Sequence, residues 1–109
     1  MLLGDASAVV PEVVREGVRI RWLMTEKEGA PNFAMRVIEI KRKGEKIPLH
    51  HHDYEHEILI IEGQGNVLSP DGAKPVAYGN FVYVAANEEH GFENTGHTRF
   101  RFICVIPKQ

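Results

Sequence analysis

Apolar side chains recur at every second position in short stretches of this chain, and Gly, Pro, Asn or Asp interrupts each stretch. The clearest stretch lies near the carboxyl end, where the alternating residues on one side are Phe100, Phe102, Cys104 and Ile106. Successive side chains of a strand point to opposite faces, so we expect these four to face a core. Short alternating stretches separated by turn residues are typical of an all-β sandwich or barrel.

The alternation predicts strands at residues 18-24, 33-41, 57-61, 65-69, 75-78, 80-84, 90-94 and 98-106. The segment from Ser69 to Gly72 is predicted to close a hairpin, because Pro70 presets φ and Gly72 accepts positive φ. Helix is expected only as a short turn near Pro11–Arg15. No repeat or linker divides the sequence, so we expect a single domain over residues 1-109.

Composition and charge exclude several classes of partner. The net charge is -2 and the cationic residues are interspersed with acidic ones, so no nucleic-acid partner is expected. No apolar run approaches the roughly 18 residues of a membrane span, so no membrane association is expected. The first residues lack a basic region followed by a long apolar one, and we expect a cytoplasmic protein. Trp22, on an apolar strand face, is expected to lie in the core or in a homodimer interface.

Four histidines have spacings that allow them to bind one metal ion. They are His50, His52, His56 and His90. His50 and His52 leave the same face of an extended segment roughly 6 to 7 Å apart, and His90 must come from a neighbouring strand. Imidazole is the commonest protein ligand of transition metals, so the set predicts a metal centre. His51 points away from its neighbours and His97 lies in a predicted loop, so neither is expected to bind the ion.

The same region resembles the two sequence motifs of the cupin superfamily. The places of the first motif are occupied within residues 44-63 by Gly44, His50, His52, His56 and Gly63, and those of the second within residues 79-94 by Gly79, Ala85, Asn87, His90 and Asn94. Seven of these ten residues match the family. Ala85 stands where the family has Pro, and Asn87 stands where it has Gly. Asn tolerates left-handed φ, so the turn should be kept. The resemblance implies a double-stranded β-helix, the cupin jelly-roll barrel, with a mononuclear metal site.

His56 occupies the place where most cupins carry a carboxylate ligand. In this respect the chain is similar to small stand-alone four-histidine bacterial cupins, several of which are manganese proteins. The resemblance therefore implies one divalent transition metal ion, Mn first, with Fe, Zn, Ni and Cu as alternatives. Glu57 is the alternative ligand at this place, although the spacing to Gly63 favours His56 and period two places Glu57 on the opposite face. Four neutral imidazoles leave the charge of the ion uncompensated, which makes it a strong Lewis acid.

Phe102 and Cys104 are the candidate residues of a catalytic pocket beside the metal. Facing inward, they would line an apolar space for a small-molecule substrate, although Cys104 can equally be a buried core residue. Tyr83 is expected inside as a hydrogen-bond donor. Arg36 could anchor an anionic substrate, but a solvated strand face or an ion pair with a Glu is the preferred interpretation.

The resemblance to oxidative cupins implies a metal-dependent oxidoreductase of dioxygenase type, which activates oxygen or peroxide against a small organic substrate. Two alternatives stay open. The first is a non-redox Lewis-acid isomerase or lyase, and the second is a module that binds a small ligand without a reaction.

Overall fold

Ten β-strands form most of the molecule in the computed structural model, which describes all residues from Met1 to Gln109. The strands are β1 Glu12–Arg15, β2 Val18–Met24, β3 Phe33–Ile40, β4 Lys46–His50, β5 His56–Glu62, β6 Gln64–Ser69, β7 Gly72–Ala77, β8 Phe81–Val84, β9 His90–Asn94 and β10 Phe100–Pro107. Two 3₁₀ turns, Ala6–Ala8 and Glu26–Glu28, are the helical elements. Neither is long or apolar enough to cross a membrane.

The strands form two antiparallel sheets. One has six strands in the order β1-β2-β3-β10-β5-β8, and the other has four in the order β4-β9-β6-β7. Each sheet turns an apolar face toward the other, which is how a sandwich or barrel buries its core. The all-β architecture predicted from the alternating pattern is confirmed.

The core lies between the sheets and centres on β10. Phe100, Phe102, Cys104 and Ile106 all point inward and are at most 1% exposed. The rings of Phe102 and Phe92 lie 4.5 Å apart, which joins β10 to the smaller sheet. Burying an aromatic or aliphatic side chain of this size contributes about 1.5 to 3 kcal/mol. Because β10 lies between β3 and β5, its inward side chains meet residues from both neighbours.

Two strands differ from the expectation. The segment near Pro11–Arg15 is not a helical turn, because Glu12–Arg15 forms β1 and pairs antiparallel with β2. Its adjacent β-branched residues, Val13 and Val14, favour extended backbone, and Gly17 supplies the positive φ of 78° that the hairpin turn requires. Strand β4, Lys46–His50, was absent from the predicted strands. By contrast, β2 and β9 have the predicted bounds.

Turns at the expected positions shape the barrel. Ser69 pairs with Gly72 across the β6–β7 hairpin, as predicted. Gly63 has φ of 81°, and a Cβ there would overlap the carbonyl oxygen of Arg99. Asn87 has φ of 66° and is the single non-glycine residue with positive φ. The sequence-based expectation that Asn replaces Gly in this turn is therefore confirmed.

Asn94 ties the end of β9 to the rest of the barrel. Its side chain is fully buried and its Nδ2 donates to the carbonyl oxygens of Ile40 at 2.9 Å and Thr98 at 3.0 Å. Its Oδ1 accepts a hydrogen bond from the backbone N–H of Gly96 at 2.9 Å. All its hydrogen-bonding groups face the main chain, so Asn94 fixes the position of the strand that begins with His90.

Candidate metal centre

The ends of three strands bring the histidines together. His50 is the last residue of β4 and His90 is the first of β9, and the two are partners in the register of these strands. His56 is the first residue of β5. His52 lies in the loop between β4 and β5, where its carbonyl oxygen accepts a hydrogen bond from the N–H of Asn87 at 2.6 Å. The left-handed turn at Asn87 therefore holds the loop that carries His52.

Three of the four histidines form a tight cluster. One ring nitrogen from each of His50, His52 and His90 lies within 4.8 Å of the other two. The ring centroids of His50 and His90 are 4.3 Å apart, and those of His50 and His52 are 4.9 Å apart. Nitrogens grouped in this way can surround one ion, so the fold contains a possible three-histidine metal site.

Backbone carbonyls set the tautomers of two of these rings. The Nδ1 of His50 lies 2.8 Å from the carbonyl oxygen of Pro48, and the Nδ1 of His90 lies 2.8 Å from that of Glu88. A carbonyl oxygen only accepts, so each Nδ1 must carry the proton and each Nε2 keeps a free lone pair. Metal-binding histidines typically have this arrangement, with the second ring nitrogen donating to a carbonyl or carboxylate.

His56 lies against the cluster without joining it. Its ring centroid is 5.1 Å from those of both His52 and His90, and the side chain is 3% exposed. Its Nδ1 is 3.3 Å from the Sγ of Cys104, whereas its Nε2 is buried and has no hydrogen-bond partner. Leaving a buried polar atom unpaired costs about 1 to 3 kcal/mol. A metal ion bound by this nitrogen would remove the cost, so the residues present fit a metal.

Burial favours the neutral form of three of the imidazoles, those of His52, His56 and His90. Burial, aided by the proximity of the His90 ring and the Arg36 guanidinium, lowers the pKa of His56 to about 3. Burial also lowers the pKa values of His90 and His52. Only the neutral ring can bind a metal, so these side chains are ready to bind at neutral pH without losing a proton.

The histidines form one wall of a cavity of about 410 Å³. The cavity lies between the two sheets, and its other walls are mostly aliphatic and aromatic. Phe102 and Cys104, the candidate pocket residues, are among the lining residues, and no Asp or Glu is. Val14 and Arg15 of β1 also line the cavity. Strand β1, where the sequence predicted a helical turn, therefore forms part of the site.

The remaining candidates lie outside the cluster. His51, His97 and Glu57 are exposed, in agreement with the expectation for each. Tyr83 is 58% exposed and donates a hydrogen bond to Glu55, so the expectation that it lies inside is wrong. Its neighbour Val84, which has the opposite orientation on β8, is the buried residue.

The sequence did not indicate the position of Tyr54, and the position of Arg36 differs from the preferred interpretation. Tyr54 stacks on His52 with ring centroids 4.9 Å apart and planes 13° from parallel, and it thereby fixes that ring. Arg36 lines the cavity and makes no ion pair with a Glu, so the preferred sequence interpretation of Arg36 is wrong. Its inward direction follows from its position between the inward-facing Ala34 and Ile38 on β3.

Comparison with known proteins agrees with this geometry. The family described as Cupin domain matches residues 37–106, which include all four histidines. The chain belongs to the cupin family. The double-stranded β-helix predicted from the two motifs is thus confirmed.

This cupin is similar in sequence or structure to several known proteins. It is 32% identical over 85 residues to an oxalate-binding protein of Thermotoga maritima, covering 76% of this chain and 70% of the relative. It is similar in structure to the polyketide cyclase RemF of Streptomyces resistomycificus, with a TM-score of 0.92 and 29% identity over 100% of this chain and 80% of that one. A predicted oxalate decarboxylase of Thermotoga maritima has a TM-score of 0.84 at 24% identity over 99% of this chain and all of that one, and shares the fold.

Proposed function

We propose that this cupin is a metal-dependent enzyme that closes a ring in a small, enolisable carbonyl compound without net oxidation. The observation that carries the proposal is the grouping of imidazoles on one wall of an apolar cavity of about 410 Å³ that no carboxylate lines. A cavity of this size holds a small organic molecule. The similarity to a polyketide cyclase along the whole chain supports ring closure as the reaction class.

The metal ligands in this proposal are His50, His52, His56 and His90. As a ligand His56 would use its unpartnered Nε2, and its Nδ1 would then donate to Cys104. One divalent transition metal ion, manganese first among the candidates, would supply a Lewis acid that stabilises negative charge on a carbonyl oxygen. The cluster of three supports the set, and the buried Nε2 supports the fourth member.

The other residues contribute binding and the exclusion of water. Phe92, Phe102 and Ile58 present apolar surface to the cavity, which favours a compact, folded substrate chain over an extended hydrated one. Burial raises the pKa of the Cys104 thiol, so the thiol stays neutral and holds the His56 ring. Since no carboxylate lines the cavity, a strong positioned base has no part in the proposal.

The second candidate is the oxidoreductase of dioxygenase type. The observation that favours it is the aromatic wall formed by Phe92 and Phe102 beside the histidines, because apolar surface that displaces water would protect reactive oxygen intermediates. Ring closure is the first candidate because the similarity to a polyketide cyclase extends over the whole chain.

The test uses the protein purified with its native metal, after elemental analysis has identified the ion. Heptane-2,4,6-trione is the probe, since aldol ring closure with loss of one water converts it to 3,5-dihydroxytoluene. We expect equal turnover with and without oxygen, its loss in His90→Ala, and its retention in His51→Ala. Conversion that requires oxygen and consumes it would replace the first candidate by the second. Absence of conversion in both atmospheres would refute both and leave a binding module.

The homodimer is also part of the proposal. Leu59 and Phe81 are partners across β5 and β8 on the outer face of the larger sheet, and they are 44% and 83% exposed. Tyr83 extends the same patch. An exposed apolar patch of this kind is typical of a protein interface. Analytical ultracentrifugation should find twice the 12.3 kDa mass of the chain, and a species of 12.3 kDa alone would refute the dimer.

A further inference from the structure

Arg36 is a cation inside the barrel without an acidic partner. In the sheet register it lies between Trp22 of β2 and Cys104 of β10. Its guanidinium carbon is 5.0 Å from the centroid of the Trp22 ring, and its Nη2 is 3.8 Å from the Sγ of Cys104. Its Nε is buried and has no hydrogen-bond partner. The thiol of Cys104 therefore has His56 on one side and Arg36 on the other.

On the outer face of the same sheet, by contrast, the arginines have acidic partners. There Arg21 lies 3.0 Å from a carboxylate oxygen of Glu39, and Arg99 and Arg101 each lie 2.9 Å from an oxygen of Glu62. These cations are neutralised by neighbours on adjacent strands. Arg36 faces the cavity, where the lining residues include Arg15 and four histidines but no acid. The side chains that line the cavity therefore include two arginine cations and no carboxylate.

The geometry of Arg36 is that of a binding group. A guanidinium is always charged, and its planar fork of donors matches a carboxylate in a bidentate manner. Stacking on Trp22 fixes the plane of the fork on one side. A buried donor without a partner costs free energy in the folded protein, so a structural role would have given Arg36 a partner.

We propose that Arg36 binds the carboxylate of the substrate, so that this cupin acts on an organic acid whose apolar part occupies the cavity. The inference deepens the proposed function and rests on it for the identity of the cavity as the substrate site. Arg36 would hold one end of the molecule, which places its carbonyl groups toward the histidines.

The test compares two probes of one shape in the full chain with its metal. Cyclohexanecarboxylate carries the charge and cyclohexanecarboxamide does not, and calorimetry measures the affinity of both. We expect Arg36→Met to lower the affinity for the carboxylate roughly tenfold or more, which is the usual loss for a charged hydrogen bond. The affinity for the amide should fall less than about twofold. Arg19→Met removes the same charge from the opposite face of β2 and should change neither affinity. Quenching of Trp22, the single tryptophan, should accompany carboxylate binding in the wild type.

Removing the metal with a chelator separates this inference from the proposed function. The loss caused by Arg36→Met should persist in the metal-free protein, because the contact does not involve the ion. If the carboxylate binds the metal-loaded Arg36→Met protein as tightly as the wild type, the inference is wrong, whatever the trione assay gives. If Arg36→Met lowers the affinity for the carboxylate while the wild type does not convert the trione, the inference stands and the ring-closure proposal fails.

Thermal unfolding separates a binding role from a structural one, because the two roles predict opposite changes in the melting temperature of Arg36→Met. Arg36→Met replaces a partly buried cation that has no acidic partner by an apolar side chain, so its melting temperature should equal or exceed that of the wild type. A clearly lower melting temperature would assign Arg36 a structural role and overturn the proposal. Arg36→Lys keeps the charge but loses the fork, and we expect carboxylate affinity between those of the wild type and Arg36→Met.

Discussion

The metal-free protein should lose stability in mild acid because His56 resists protonation. In the folded chain the pKa of His56 is about 3, whereas an unperturbed histidine has 6.5. Between these values the unfolded chain binds a proton that the folded chain does not. The free energy of unfolding therefore rises with pH in this window and falls as the pH is lowered. Above about pH 6.5 both states are neutral at this residue, and the effect disappears.

The size of the effect follows from linkage. One unprotonated group of this kind changes the free energy of unfolding by about 1.4 kcal/mol per pH unit inside the window. Between pH 7 and pH 4.5, His56 alone should lower stability by about 2 to 3 kcal/mol. The lowered pKa values of His52 and His90 act in the same direction. The free energy of unfolding of a small domain is only about 5 to 15 kcal/mol, so a change of this size is readily measured.

Urea unfolding in the presence of a chelator, followed by the emission of Trp22, measures the effect. His56→Gln cannot titrate, so the difference in stability between wild type and variant should shift by about 2 to 3 kcal/mol from pH 7 to pH 4.5. The carboxyl groups with lowered pKa values, Asp5 and Glu62, are present in both proteins and cancel. His97→Gln, at an exposed loop position, should leave the pH dependence unchanged.

A nuclear magnetic resonance titration of the His56 ring provides an independent check if His56→Gln does not fold. The ring should remain neutral down to about pH 4. A midpoint near 6, or a wild-type-to-variant difference that does not change with pH, would refute the argument from burial.

Three further changes test the parts of the site. Cys104→Ala removes the thiol that holds His56 and should lower metal affinity roughly tenfold in a chelator competition, and unchanged affinity would contradict a positioning role. Asn94→Ala removes the three hydrogen bonds of a buried side chain and should lower the free energy of unfolding by about 2 to 4 kcal/mol. A loss below about 1 kcal/mol would show that these bonds are replaced. Gly63 has a left-handed φ, and a Cβ there would also overlap the Arg99 carbonyl, whereas Gly29 has a positive φ in open space. Gly63→Ala should therefore lower the free energy of unfolding more than Gly29→Ala does. Equal losses would argue against the overlap.

Part of the barrel could be predicted because side chains on the inner face of strands such as β10 recur at every second position. On β10, Phe100, Phe102, Cys104 and Ile106 are buried, and the aromatic pair with Arg101 between them indicates the inner face. The glycines and Asn87 were equally informative, since left-handed backbone restricts the residue type at a turn. The histidines could be predicted as a group because two of them occupy strand ends that meet in register.

The parts that could not be predicted depend on contacts between distant segments. Strand β1 is four residues long, exposed throughout and paired with β2 only, so it has no alternation to detect. On β3, residues on both faces are buried, including Val37 and Glu39 on the outer one. Hydrophobicity therefore could not indicate which face Arg36 occupies. The stacking of Tyr54 on His52 depends on the loop conformation, which no periodic pattern encodes.

The register of β10 couples the two halves of the cavity. Cys104 is the partner of Arg36 on β3 and of Ile58 on β5, two residues after His56. A shift of one residue would turn Cys104 to the outer face and replace it by Ile103 or Val105, which have no polar atom for His56 or Arg36. The buried Phe100 and Phe102 oppose such a shift, because it would expose both rings. Aromatic packing on β10 thus fixes one thiol between a histidine and an arginine, and core substitutions there should disturb metal binding and carboxylate binding together.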